Sequence, residues 1–185
     1  ERKLDLIGTA PQIVNPSQDA TAISGSPAHA FYGALKQNDT QTAVKALKRF
    51  MQISSDLNLQ LDMASMLVEA YEPAGVPIVR NILEKDFENL DPSKLAIASH
   101  GLYTYSVGAL TIDSEYTYLR DKAKKALEKQ NLTENQQAAL YNVLASLEYS
   151  MKNYLQALKY QEKTIDLAVT EPAYYYNIAK INQLL

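Results

Sequence analysis

From Ser26 onward, apolar positions recur every three or four residues and are cut into blocks by turn-forming residues, which predicts a train of amphipathic helices. Ala43, Leu47, Phe50 and Met51 fall on one helical face. Tyr116, Leu119, Ala123, Ala126 and Leu127 share another, as do Tyr141, Leu144 and Ala145, and then Tyr154, Ala157, Leu158, Ile165 and Ala168. Start signals stand between the blocks. Ser26-Pro27 and Asp91-Pro92 each place a capping side chain before a proline at the first helical position, where a missing N–H costs no hydrogen bond. Thr133 with Gln136 three residues later makes a capping box, and Glu171-Pro172 opens one more helix. Breaks fall at Asn38-Asp39, at Asn58, over 72–75 and over 111–113. The blocks predict nine helices, at about 27–37, 40–55, 59–72, 76–89, 92–109, 113–130, 134–151, 154–168 and 171–185, and no strand in residues 28–185.

Residues 1–27 follow a different rule. Pro11, Pro16 and Pro27 forbid a long helix, and Gly8 and Gly25 add flexibility. The short apolar groups Leu4-Leu6-Ile7 and Ile13-Val14 suit a brief strand or a docking contact. This stretch reads as an N-terminal extension or linker ahead of a helical domain over 28–185. The chain opens on Glu1 and stops at Leu184-Leu185 inside a predicted helix, so it is expected to be a fragment or a processed chain.

The helical blocks repeat. Tyr141-x-x-Leu144-Ala145 returns as Tyr175-x-x-Ile178-Ala179, displaced by 34 residues. Between them stand Asn153-Tyr154-x-x-Ala157-Leu158, Ile165 and Pro172. A large aromatic fills the gap between neighbouring units, and small residues such as Ala145 and Ala157 let two helices approach closely. In this respect residues 134–185 resemble tetratricopeptide repeats. Asn38-Asp39-Thr40-x-x-Ala43, followed by Leu47 and Phe50, looks like the turn and second helix of another such unit. The resemblance implies a right-handed superhelix of antiparallel helix hairpins, about four hairpins and one terminal helix. It also implies a concave groove that binds a partner peptide or helix.

Composition narrows the chemistry. The absence of cysteine among the 185 residues removes disulfides, thiolate zinc sites and thiol nucleophiles. His29 and His100 are the only histidines, and Ser99 beside His100 points to a different helical face, so no Ser–His dyad forms from sequence neighbours. Glu84, Asp86 and Glu88 diverge at i,i+2 spacing and read as a solvated face. The basic run Arg120, Lys122, Lys124, Lys125 and Lys129 is interleaved with Glu115, Asp121 and Glu128, a self-neutralising helical surface. Gly101 and Gly108, seven apart, suggest close helix packing. The formal net charge of −3 gives no polyanion signature, and no apolar run reaches the length of a membrane span. The expectation is a chain without enzymatic activity, metal or cofactor, with a protein or peptide partner and no nucleic acid.

Thirteen tyrosines against three phenylalanines are the most unusual feature. Tyr141, Tyr154 and Tyr175 occupy packing positions of the repeat. Tyr149 and Tyr176 fall off them, and by the family's geometry face the groove together with Asn142; these three are the candidate partner-binding residues. In chaperone-binding members of the family a clamp of Lys and Asn holds a carboxylate; here the matching positions hold Asn142 and Ser146, without the lysine. Asn-x-Thr sequons at Asn38 and Asn131 fall in predicted turns. The alternative function is a helical accessory domain of a larger enzyme or bacterial envelope protein. Ile178, Ile181, Leu184 and Leu185 predict an uncovered apolar side on the last helix, and hence self-association through residues 171–185 or cover by downstream sequence.

Overall fold

A computed structural model describes residues 25–168 and 170–185, and these are all-α, with nine α-helices and no strand among them. In chain order the helices are α1 (Pro27–Lys36), α2 (Thr40–Ile53), α3 (Leu57–Glu69), α4 (Gly75–Lys85), α5 (Pro92–Gly108), α6 (Ile112–Leu127), α7 (Glu134–Ser150), α8 (Tyr154–Leu167) and α9 (Pro172–Asn182), with a 3-10 turn at Phe87–Asn89. Apart from its last three positions, the expected N-terminal extension lies outside the described residues. Among these, 25–105 form one compact unit and 106–185 fall in another.

The helices begin where their caps dictate. The Ser26 hydroxyl accepts from the His29 N–H at 3.1 Å, Asp91 accepts from the Ser93 N–H at 2.7 Å, and the Thr133–Gln136 capping box forms in both directions. Two caps went unread in the sequence: Asp39 accepts from the Thr42 N–H and Asp56 from the Leu59 N–H, so α3 starts at Leu57 and not after Asn58. The helix expected over 76–89 stops at Lys85. Asp86 leaves helical geometry there, and Glu84, Asp86 and Glu88 do not share one helix.

One turn recurs. Asn38, Tyr71, Leu110 and Lys152 sit at φ of 56°, 56°, 58° and 62°. In each case the next residue's N–H bonds a carbonyl five residues back: Asp39 to Ala34, Glu72 to Leu67, Thr111 to Ser106 and Asn153 to Glu148, at 2.8–2.9 Å. This is the Schellman arrangement, which satisfies orphan carbonyls at a helix end. Glycine usually holds the left-handed position, and other residues there cost about 1–2 kcal/mol. In this chain Asn, Tyr, Leu and Lys accept that strain, and the turns let α1 fold back on α2, α3 on α4, and α7 on α8.

Each unit then packs on small and polar contacts. In the first, Phe31, Leu47, Leu61, Leu67 and Leu83 are fully buried, and α3 is tied toward α5 by Lys94–Asp62 at 2.6 Å and by Asn58 accepting from the Asp91 N–H at 2.8 Å. In the second, Ala145 of α7 and Ala157 of α8 are both wholly buried against Ile181 of α9, with Tyr149, Tyr154, Leu158 and Tyr160 around them. The close approach expected of the two alanines is present. The buried stripe of α8 nevertheless includes Gln161 and Thr164, each 0% exposed, beside Ala157. On α9 the expected packing residue Tyr175 is at the surface. The stripe Tyr174, Asn177 and Ile181 turns inward instead, because α9 meets α8 and, through Asn177, Asn142 of α7.

Two glycines separate tight from ordinary packing. A Cβ on Gly75, at the start of α4, would stand 2.9 Å from both the Ala64 carbonyl oxygen and the Leu67 Cβ of α3. On Gly101 of α5 it would stand 3.7–3.8 Å from Glu69, Ser65 and Val68, an ordinary contact. Gly75→Ala should therefore cost about 1–3 kcal/mol by overpacking, whereas Gly101→Ala should be neutral or gain up to about 1 kcal/mol from helix propensity. Denaturant midpoints of the two variants check this; equal effects would contradict the packing described.

Candidate functional site

The three residues expected to meet a partner land in three different environments. Asn142 is 2% exposed, and its Oδ1 accepts a hydrogen bond from Asn177 Nδ2 at 3.3 Å. It joins α7 to α9 and is not a surface residue, which corrects the expectation for it. Hydrophobic periodicity ignores polar residues, so the inward turn of an asparagine had no signal in it. Tyr149 is half-buried: its ring lies 5.7 Å from that of Tyr154, and Lys180 Nζ stands 5.2 Å above it. Tyr176 is 47% exposed. Beside it Tyr175, Leu184 and Leu185 are also exposed, so the end of the second unit presents aromatic and aliphatic surface. Ile181, expected to share that surface, is buried.

A second feature of the same unit had no forewarning in the sequence. Where α7 turns into α8, the chain forms an open cleft of about 610 Å³ lined by Tyr116, Arg120, Glu148, Lys152, Asn153, Tyr154, Leu155, Lys159 and Leu185, among others. Glu148 stands at its base and is 2% exposed. The Tyr116 O–H donates to Glu148 Oε1 at 2.9 Å, Asn153 Nδ2 donates to Oε2 at 2.9 Å, and Arg120 Nε lies 3.4 Å from Oε1. A carboxylate so placed keeps its charge compensated in a poorly solvated position. Burial, and then the bond to Glu148, raise the Tyr116 phenol above its ordinary value. The Arg120 guanidinium also covers the Tyr116 ring at 5.6 Å, so one side chain neutralises the acid and caps the aromatic.

Several titratable groups of the first unit are enclosed. In the first unit burial raises Asp62 in spite of its bond to Lys94, raises Glu69, and pushes Tyr32 up to about 12, with the Asp62 charge adding to the last. Burial lowers His100, whose Nδ1 has no hydrogen-bond partner, while His29 is exposed at the start of α1. No group of three His, Asp or Glu side chains that could hold a metal occurs among the described residues, and none of the described helices is long and apolar enough to cross a membrane. Comparison with protein-family models, with curated proteins and with solved structures finds no match.

The Glu148 constellation yields a direct test. Glu148→Ala strands Tyr116, Asn153 and Arg120 together and should cost about 2–4 kcal/mol. Glu148→Gln keeps an acceptor for one of them and should cost less. Urea unfolding of both variants checks the order, and a loss below about 1 kcal/mol for Glu148→Ala would contradict the bonding described.

Proposed function

We propose that the chain is a protein–protein interaction module of the tetratricopeptide kind, without catalysis of its own, that takes an extended segment or helix of a partner on its repeated hairpins. Side-chain hydrogen bonds that link different elements support the repeat. Thr40–Glu72, Asn58–Asp91, Asp62–Lys94, Tyr116–Glu148 and Asn142–Asn177 span 32, 33, 32, 32 and 35 residues. These separations bracket the 34-residue period of the sequence pattern. The recurring Schellman turn supports it as well.

The observation that carries the function is the exposed aromatic surface of α9. Tyr175 and Tyr176 are 46% and 47% exposed on a helix whose inner stripe is fully packed. A tyrosine held this way offers a large rigid contact at small entropic cost, which is why the residue is enriched in interfaces. Half-buried Tyr149, with Lys180 above its ring, adds a second aromatic to the same unit.

Selection of a displayed peptide library on the immobilised chain, followed by amide-shift mapping of the selected peptides, tests the reading. Shifts should gather on α9 and around Tyr149. Tyr176→Ala should weaken the selected peptides by about fivefold or more with an unchanged melting temperature. Failure to enrich any peptide over the bare support, or affinities indifferent to Tyr176→Ala, would contradict it.

A further inference from the structure

The cleft at the α7–α8 turn has a chemistry of its own. Its side chains carry three cations, Arg120, Lys152 and Lys159, and one carboxylate, Glu148. That carboxylate is buried, hydrogen-bonded by Tyr116 and Asn153 and ion-paired with Arg120. Lys152 and Lys159 are exposed, and neither pairs with a carboxylate among the described residues. The backbone of Lys152 is held in the Schellman turn, at φ 62°, and Lys159 rides on α8, so both stems start from fixed points. Beside the lysines stand Leu155, 68% exposed, and Leu185, 58% exposed. Positive charge next to uncovered aliphatic surface, over a base whose acidic side chain is already compensated, is complementary to negative charge carried next to an apolar side chain.

Resting on the reading of the chain as an interaction module, we propose that this cleft docks an acidic peptide segment of a partner. Its carboxylates meet Lys152, Lys159 and the exposed side of Arg120, and an aliphatic or aromatic side chain beside them covers Leu155 and Leu185. Asn142 and Ser146, the positions matching the carboxylate clamp of tetratricopeptide repeats, are buried here and do not line the cleft. Glu148 is a positioning residue: its carboxylate fixes Arg120, and its carbonyl and side chain both hold Asn153 in the turn that carries Lys152.

Fluorescence anisotropy on the whole chain tests this with a labelled peptide of glutamate, aspartate, leucine and phenylalanine. A peptide with lysines in place of the acids and an oligothymidylate serve as comparison probes. The acidic peptide should bind, weaken as salt rises, and lose about tenfold or more in affinity on Lys152→Glu with Lys159→Glu. Lys48→Ala, on the exposed side of α2 and outside the cleft, should leave it unchanged. Circular dichroism confirms the fold of the double variant, and the milder pair Lys152→Ala with Lys159→Ala should lose part of the affinity in the same direction. No binding of the acidic peptide, equal binding of the basic peptide or the oligothymidylate, or indifference to the lysine substitutions would overturn the proposal. Library peptides that enrich and map to α9 in that event would leave the module reading standing and remove this cleft from it.

Discussion

A reversal of direction completed within a few residues is the constraint on which the rest depends. A single left-handed residue, followed at once by an amide that bonds five residues back, ends a helix and aims the chain at its own flank. The same device closes α1, α3 and α7, each of which packs on the helix that follows, and it also ends α5. Glycine, which would adopt it without strain, is absent from all four positions. The tertiary packing of paired helices therefore has to hold the strain, and it does so through contacts such as Ala145 against Ala157, where neither residue has a side chain long enough to keep the helices apart.

The α7–α8 turn shows how this local geometry reaches the surface. Its amide bond from Asn153 ends on the Glu148 carbonyl, and the Asn153 side chain then bonds the Glu148 carboxylate. Backbone and side chain of the same two residues thus lock each other. The locked acid draws Tyr116 and Arg120 from α6 onto α7, which brings α6 against the turn. A cleft with two exposed lysines on fixed backbone results from this, with no residue whose chemistry would have drawn attention in isolation.

The fold class and the order of the helices were legible because they rest on two local signals, the 3.6-residue period and the capping side chains. Ser26, Asp91 and Thr133 cap as their types imply, and helix starts agree within one or two residues. What escaped were positions where a polar residue faces inward. Gln161, Thr164 and Asn177 lie at 0% exposure, and Asn142 at 2%. The resemblance to tetratricopeptide repeats placed the buried side of α9 one residue late, on Tyr175 instead of Tyr174, and put Asn142 at a groove position, where it is buried. Tyr176 is exposed, and so is Tyr175, so the packing positions of the repeat do not separate the two on α9. The Glu148 cleft was illegible because it joins residues of three helices that are far apart in the chain, and nothing in the spacing of Tyr116, Arg120 and Lys152 marks them as neighbours.

Native-state hydrogen exchange at the amides of Asp39, Glu72, Thr111 and Asn153 tests the account at its centre. If the four reversals are built as described, these amides exchange as slowly as those inside the helices they close, since each is held at 2.8–2.9 Å by a carbonyl of the preceding helix. Exchange at the rate of an open loop, at two or more of the four, would mean that the hairpins are not closed by this turn, and the arrangement that follows from it would fail with them.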